Sequence, residues 1–226
     1  MTHPLSILVP IYNEEATLEE VMATLSRECP DAEIIYIDDG SNDRSREILN
    51  AHARSQDKVL FPQHGGKGSA IRHGLKEATG TFTVIQDADL EYNPAEIHHL
   101  LVEAQKHTGS AVFGSRFMQQ NPNIYKRFLW GNKLLTLFLN LLFGCHLTDS
   151  YTCYKLLPTP LFQSLDLRSN GFELEAEICS KTVKKGIPIR EIPISYKPRT
   201  IEQGKKIRFR DAWKGLLKMV KIRFSS

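Results

Sequence analysis

The stretch Thr83-Val84-Ile85-Gln86-Asp87-Ala88-Asp89-Leu90-Glu91 decides how this chain is read. Its apolar start, Phe82–Ile85, has the length and character of a buried parallel strand, and it ends abruptly in acid. Asp87, Asp89 and Glu91 alternate with period two, so an extended backbone would point all three the same way. Carboxylates crowded at a strand end repel one another and resist desolvation, and a hard divalent cation relieves both costs. In open α/β sheets the place just past the carboxyl end of a strand is where ligands bind. A cation there would share its shell with substrate phosphate oxygens. The plainer alternative is a solvated acidic loop ahead of the helix that Pro94 opens, and the three acids alone leave both readings open.

Working outward, the pattern alternates. Residues 5–9 read as a strand broken at Pro10, and Asn13-Glu14-Glu15 start a helix with apolar positions Leu18, Val21, Met22 and Leu25. A second strand over 33–37 stops at Asp38-Asp39-Gly40-Ser41-Asn42-Asp43, where Ser41 or Asn42 can cap the helix that follows. A short strand over 59–61 leads to His64-Gly65-Gly66-Lys67-Gly68 and a helix through Ile71, Leu75 and Ala78. After the acids come a helix through Ile97, Leu100 and Leu101 and a strand over 111–114. Strand–helix alternation with short links predicts an α/β fold, a mostly parallel sheet with helices on both faces. Beyond Ser115 the expectations are a strand over 148–157, a helix over 172–184, a strand over 189–196, a mobile loop over 197–204 and a helix over 211–224.

At 226 residues the chain suits one large domain, or one with an appendage. The four cysteines, Cys29, Cys145, Cys153 and Cys179, are scattered without metal-ligand spacing and read as reduced thiols of a cytoplasmic protein. The amino terminus shows no signal peptide, and no apolar run reaches the roughly 18 residues of a spanning helix. A net charge of +3 hides an asymmetry: between Lys205 and Arg223 there are eight basic residues and one acid, Asp211. A basic tail on a nearly neutral to acidic body suggests an anionic surface or ligand as its partner.

Each strand exit has a functional and a plain reading. Tyr12, between Pro10 and a helix start, can present a flat surface to a base or ribose, or simply belong to the turn. Asp38 and Asp39 can bond base nitrogens or ribose hydroxyls, or cap a helix. The glycine-rich piece is not a P-loop, since Gly68 rather than Ser or Thr follows Lys67. It reads first as a tight turn, with Lys67 facing a phosphate as the alternative. Glu173, Glu175 and Glu177 read as one helical face rather than a second catalytic cluster, and His73, His98 and His99 as surface or packing residues.

Taken in order, the segments 9–15 (VPIYNEE), 38–43 (DDGSND), 65–74 (GGKGSAIRHG), 87–91 (DADLE) and 114–117 (GSRF) resemble the family 2 glycosyltransferases of GT-A fold. Within that family the chain looks most like the dolichyl- or polyprenyl-phosphate sugar transferases, and the resemblance covers essentially its whole length. It implies a nucleotide-sugar half over about 1–116, an acceptor half over about 117–204 and a basic amphipathic helix over 205–226. It further implies that Pro10, Tyr12, Glu14 and Asp39 hold the nucleoside of a GDP- or UDP-linked sugar, and that Asp87 contacts ribose or sugar. Asp89 and Glu91 would ligate Mg²⁺ or Mn²⁺. Arg116, Arg199 and Lys205 would neutralise nucleotide or acceptor phosphate, and Asp149 is the implied acidic group near the acceptor.

Two positions depart from the resemblance. Thr152-Cys153-Tyr154-Lys155 stands where the lipid-phosphate transferases carry Ser-Gly-Phe-Arg, and Glu91 stands where they carry Gln. The first bears on the acceptor, the second on metal ligation. The expected reaction is direct displacement with inversion, Asp149 serving as general base if the acceptor is a hydroxyl. A phosphate acceptor, largely dianionic at neutral pH, needs less help. Alternatives are a soluble hydroxyl acceptor or glycan and, from another class, a nucleotidyltransferase; no nucleic-acid partner is expected.

The residues also predict peripheral membrane contact. Lys126, Arg127 and Trp130 precede an apolar stretch over 134–143, and the last helix lines up Trp213, Leu216, Leu217, Val220 and Phe224 beside Lys214, Lys218, Lys221 and Arg223. The alternative for that helix is packing on the sheet or on another subunit in a homo-oligomer.

Overall fold

The computed structural model describes residues 3–121, 126–199 and 209–225, with 126–128 and 209–210 described by backbone alone. The chain alternates β1 (Leu5–Ile11), α1 (Leu18–Glu28), β2 (Glu33–Asp38), α2 (Ser45–His52), β3 (Lys58–Leu60), α3 (Lys67–Glu77), β4 (Phe82–Ile85), α4 (Ile97–Lys106) and β5 (Ala111–Ser115). It continues with α5 (Lys126–Phe143), β6 (Lys155–Pro158), α6 (Thr159–Ser164), α7 (Leu174–Lys184), β7 (Ile189–Pro193) and α8 (Phe209–Phe224). The seven strands form one sheet in the order β3-β2-β1-β4-β6-β5-β7. β6 runs antiparallel to β4 and β5, and every other pairing is parallel.

The sequence dictates this layering. Ile7, Leu8 and Val9 of β1 and Ile34, Ile35, Tyr36 and Ile37 of β2 are fully buried, as strands covered by helices on both faces must be. The α1 stripe Leu18, Val21, Met22 and Leu25 closes on them. Each such side chain withdrawn from water contributes about 1.5–3 kcal/mol. Glu33 fastens the opposite end of β2, accepting from Ser6 Oγ at 2.5 Å, Thr79 N at 2.8 Å and Thr79 Oγ at 2.9 Å, with Lys58 Nζ at 2.8 Å.

Several local expectations are corrected. The first helix begins at Leu18, not at Asn13, because Asn13 sits at φ 53° and the loop before α1 is laced to the loop before α2. Asn13 N donates to Ser41 Oγ, Glu14 N to Ser45 Oγ, Glu15 N to Asp43 Oδ2 and Asn42 N to Asn13 Oδ1. Ser41 is thus spent across the loops, and Asp43 Oδ1 takes Ser45 N at the start of α2. The strand expected over 148–157 is only Lys155–Pro158, since Asp149, Ser150 and Thr152 turn inward and are fully buried. The apolar stretch expected over 134–143 belongs to an 18-residue helix, α5, that buries Leu135, Thr136 and Leu139 and exposes Leu134, Leu137 and Leu141. Among the described residues no helix is long and apolar enough to cross a membrane.

α8 lies against α7 and α5 through Met219 and Ile222. Gly215 faces Tyr151, whose hydroxyl comes so close that a side chain there would have to displace it. The face predicted from Trp213, Leu217, Val220 and Phe224 points to solvent, while Leu216 is half-buried. The four cysteines are free thiols, two of them buried.

Candidate functional site

The first three strands end on one edge of the sheet and bring Tyr12, Asp39 and His64 together. The rings of Tyr12 and His64 stack with centroids 4.6 Å apart. Asp39, almost fully buried, accepts from Gly65 N at 2.9 Å and Gly66 N at 2.7 Å. Gly66 has φ 93°, which a glycine adopts without strain. Gly68 N donates to Asn170 O at 2.6 Å, and Ser69 N reaches the same oxygen at 3.3 Å. Four amides of this turn, those of Gly65, Gly66, Gly68 and Ser69, are therefore committed to protein, as the reading as a tight turn expects.

Lys67 points from α3 to Asp87, 2.8 Å away, and to Glu175, 3.1 Å away. Glu175 also takes fully buried Lys155 at 2.5 Å, and Lys155 donates to Thr152 O. Lys155, Glu175, Lys67 and Asp87 thus alternate in sign from the core to the end of β4. Burial disfavours both ammonium groups, but the carboxylates override it and raise both pKa values, that of Lys67 strongly. Lys67, set out as a residue facing phosphate, pairs here with two carboxylates.

The three acids after β4 do not converge as an extended backbone would make them. The chain turns after Ile85, and Leu90 lies at φ 58°. Asp87 goes to Lys67, whereas Glu91 accepts from Tyr196 Oη at 2.6 Å and Arg199 N at 2.7 Å. Arg199 Nη2 lies 2.7 Å from Glu14 Oε2 and 3.6 Å from Asp89 Oδ2, and its Nε donates to Asp89 O at 3.0 Å. Among the described residues no three His, Cys, Asp or Glu side chains group as a ready-made metal cage. Asp89 would suit a hard cation as a single carboxylate ligand, leaving most of the shell to other oxygens. Glu91, bonded at both oxygens, suits that role less well than expected.

Arg116, at the end of β5, donates Nε to Asp149 Oδ2 at 2.7 Å and Nη2 to Oδ1 at 2.8 Å. Asp149 is fully buried and also accepts from Arg116 N at 3.1 Å. Burial opposes the guanidinium charge, but the Asp149 carboxylate outweighs it and raises the Arg116 pKa. The general-base role expected of Asp149 does not suit this arrangement, because the carboxylate faces Arg116 rather than an acceptor. Arg116 stacks over Tyr196 at 5.0 Å and Phe117 at 5.5 Å, and Lys133 lies 5.8 Å from the Phe117 ring and 5.9 Å from that of Trp130. Trp130 is 69% exposed and heads the outward stripe of α5.

β1 runs through Pro10 to Ile11, past the break expected at Pro10; Asp39 follows β2 directly, and Glu14, in the loop after β1, pairs with Arg199. Lys205 lies outside the described residues, as do the side chains of Lys126 and Arg127 and most of the loop expected to be mobile. The sequence reading missed His64, Lys155 and Tyr196 and took Glu175 for part of a helical face. Lys155 has no spacing to announce it, although the departure at Thr152-Cys153-Tyr154-Lys155 pointed to the right place.

The architecture is that of GT-A glycosyltransferases. It superposes on glucosyl-3-phosphoglycerate synthase from Mycobacterium tuberculosis, solved with Mn²⁺, UDP and phosphoglyceric acid, with TM-score 0.77, 19% identity, and coverage of 99% of this chain and 80% of that one. Mannosyl-3-phosphoglycerate synthase from Rubrobacter xylanophilus gives TM-score 0.72 and 17% identity over 97% and 73% of the two chains. Residues 6–165 match the family described as Glycosyl transferase family 2, and the chain belongs to that family. Among curated relatives, the low-salt glycan biosynthesis hexosyltransferase Agl6 of Haloferax volcanii is 27% identical over 93% of this chain and 51% of its own. An undecaprenyl-phosphate 4-deoxy-4-formamido-L-arabinose transferase of Pseudomonas aeruginosa is 32% identical over 66% and 44%. The chain spans about half the length of these curated relatives.

Proposed function

We propose that this protein moves a glycosyl group from a nucleotide sugar to a polyprenyl phosphate. The observation that carries the choice of acceptor is the Arg116–Asp149 pair. With the expected base turned onto a guanidinium, the nucleophile must bring its own negative charge, and a phosphate monoester does so at neutral pH. Asp149 takes two of the five N–H groups of Arg116 and the Tyr196 hydroxyl bonds the same guanidinium, leaving the remainder to attract an acceptor phosphate. The apolar stripe of α5 begins only two side chains away, through Phe117 and Lys133 to Trp130, where an isoprenoid chain would lie.

On the donor side, Tyr12, Glu14 and Asp39 hold the nucleoside, and Asp87 the ribose or sugar. A Mg²⁺ or Mn²⁺ ion on Asp89 would stabilise charge on the departing diphosphate. Arg199 adds a fixed positive charge next to Asp89, and attack from the opposite side inverts the anomeric carbon. Support for the nucleotide and metal comes from the structural neighbour solved with UDP and Mn²⁺, and for the acceptor from the undecaprenyl-phosphate relative.

A second reading, a hydroxyl acceptor, has one observation in its favour. Glu173 Oε2 is buried without a hydrogen-bond partner among the described residues and could take a proton. The deciding experiment assays UDP- and GDP-sugars against polyprenyl phosphate and soluble hydroxyl acceptors, with Mn²⁺, Mg²⁺ or chelator, identifying products by mass. Product on polyprenyl phosphate alone, undiminished in Glu173→Gln, supports the proposal. Product only on hydroxyl acceptors, lost in Glu173→Gln, replaces it.

A further inference from the structure

β1, β2 and β3 each deliver one side chain to a single point at their carboxyl ends: Tyr12, Asp39 and His64. Asp39 fixes the imidazole twice. His64 Nδ1 lies 2.7 Å from the main-chain oxygen of Asp39 and 2.9 Å from its Oδ2. A carbonyl and a carboxylate only accept hydrogen bonds, so Nδ1 is the nitrogen that carries hydrogen. In the neutral ring Nε2 is then left bare as an acceptor. Among the described residues nothing hydrogen-bonds Nε2, and the side chain is 56% exposed. Tyr12 stacks at 26° to the ring plane and so holds its orientation from the face. The result is an acceptor of fixed position at the sheet edge assigned to the nucleoside.

We propose that His64 determines which nucleotide the donor site takes, Nε2 accepting a hydrogen bond from a ring N–H of the base. Uracil carries hydrogen at N3 and guanine at N1. Cytosine N3 and adenine N1 are bare and would meet Nε2 lone pair to lone pair. The ligand class is therefore a nucleoside diphosphate with a lactam base. The inference rests on the nucleotide-donor reading of this site, and it adds a residue and a rule of base choice.

Calorimetric titration of the full chain with UDP, GDP, CDP and ADP in Mn²⁺ tests it. UDP, GDP or both should bind about tenfold or more tightly than CDP and ADP, the loss of one hydrogen bond with an acceptor left unpaired. His64→Phe keeps a flat ring on Tyr12 without the acceptor and should cost the favoured nucleotide about tenfold while leaving CDP and ADP unchanged. His64→Gln, which returns an acceptor oxygen, should restore part of the difference. Equal binding of all four by the natural protein overturns the inference without any variant. So does an unchanged ranking in His64→Phe, or an equal loss for all four. If the natural protein binds none of the four, the donor reading fails and the inference with it; a failure confined to ranking leaves the donor reading standing.

Discussion

Arg199 Nη2 lies 2.7 Å from Glu14 Oε2, so a residue beyond β7 neutralises one just after β1, 185 positions earlier in the chain. The same guanidinium stands 3.6 Å from Asp89. A positive charge already occupies the neighbourhood in which a divalent ion would be held. Arg199→Ala should therefore move two affinities in opposite directions. Mn²⁺ alone should bind more tightly, read by its paramagnetic resonance signal, because Asp89 loses a competing cation. UDP or GDP should bind about tenfold or more weakly by calorimetry, since a charged hydrogen-bond donor is gone. Two affinities that fall together would contradict this account.

The Arg116–Asp149 pair predicts an asymmetric stability effect. Asp149→Asn leaves a buried guanidinium uncompensated and should cost about 3–5 kcal/mol in urea unfolding. Replacing both partners, Arg116→Met with Asp149→Leu, should recover most of that loss, because neither charge then has to be desolvated. Transfer activity should stay absent in the double variant.

Glu33 sets an acid limit. Burial alone would raise its pKa, but hydrogen bonds from Lys58, Ser6 and Thr79 outweigh it and bring it down from 4.5 to about 2. A carboxyl depressed on folding stabilises the protein fully above its unfolded pKa and loses that contribution as pH falls through the folded value. The window is pH 4.5 to about 2. Glu33→Gln should be less stable at pH 7 and should show a flatter decline between pH 5 and pH 2, measured by denaturant midpoints.

The outward stripes of α5 and α8 predict adhesion to anionic bilayers. Leu134, Leu137, Leu141, Trp213, Leu217 and Phe224 are each more than half exposed, with Lys133, Lys214, Lys221 and Arg223 exposed beside them. Flotation with liposomes should rise with anionic lipid and fall with salt. Trp213→Ser with Leu217→Ser should weaken it several-fold without lowering the melting temperature, because neither side chain is in the core. Absence of flotation at low salt would remove the membrane from the proposed function.

Periodicity found the sheet and most helices, because buried parallel strands and the α1 stripe leave continuous or 3.6-residue signals. It failed where backbone leaves the regular regions. Leu90 at φ 58° separates three acids that alternation had placed on one side. The stretch expected as a strand over 148–157 is mostly a turn whose Asp149, Ser150, Thr152, Cys153 and Tyr154 are buried like strand residues, while Thr148 is exposed. Asp39, Arg116 and Asp149 were identified as residues, but not what they bond to. Whether a carboxylate faces a ligand, a glycine amide or an arginine depends on partners tens of positions away.

Glu175 has a consequence for how α7 and the end of β4 are coupled. It rides on α7, against which α8 rests, while its two lysines belong to α3 and β6. Neither lysine can follow a tilt of α7 without giving up a second bond, Lys67 to Asp87 or Lys155 to the Thr152 carbonyl. Pressure on the outer helix pair thus has a stiff ionic linkage to the end of β4. A load on α8 would be registered at Asp87 as a changed partner, not as a gradual bend.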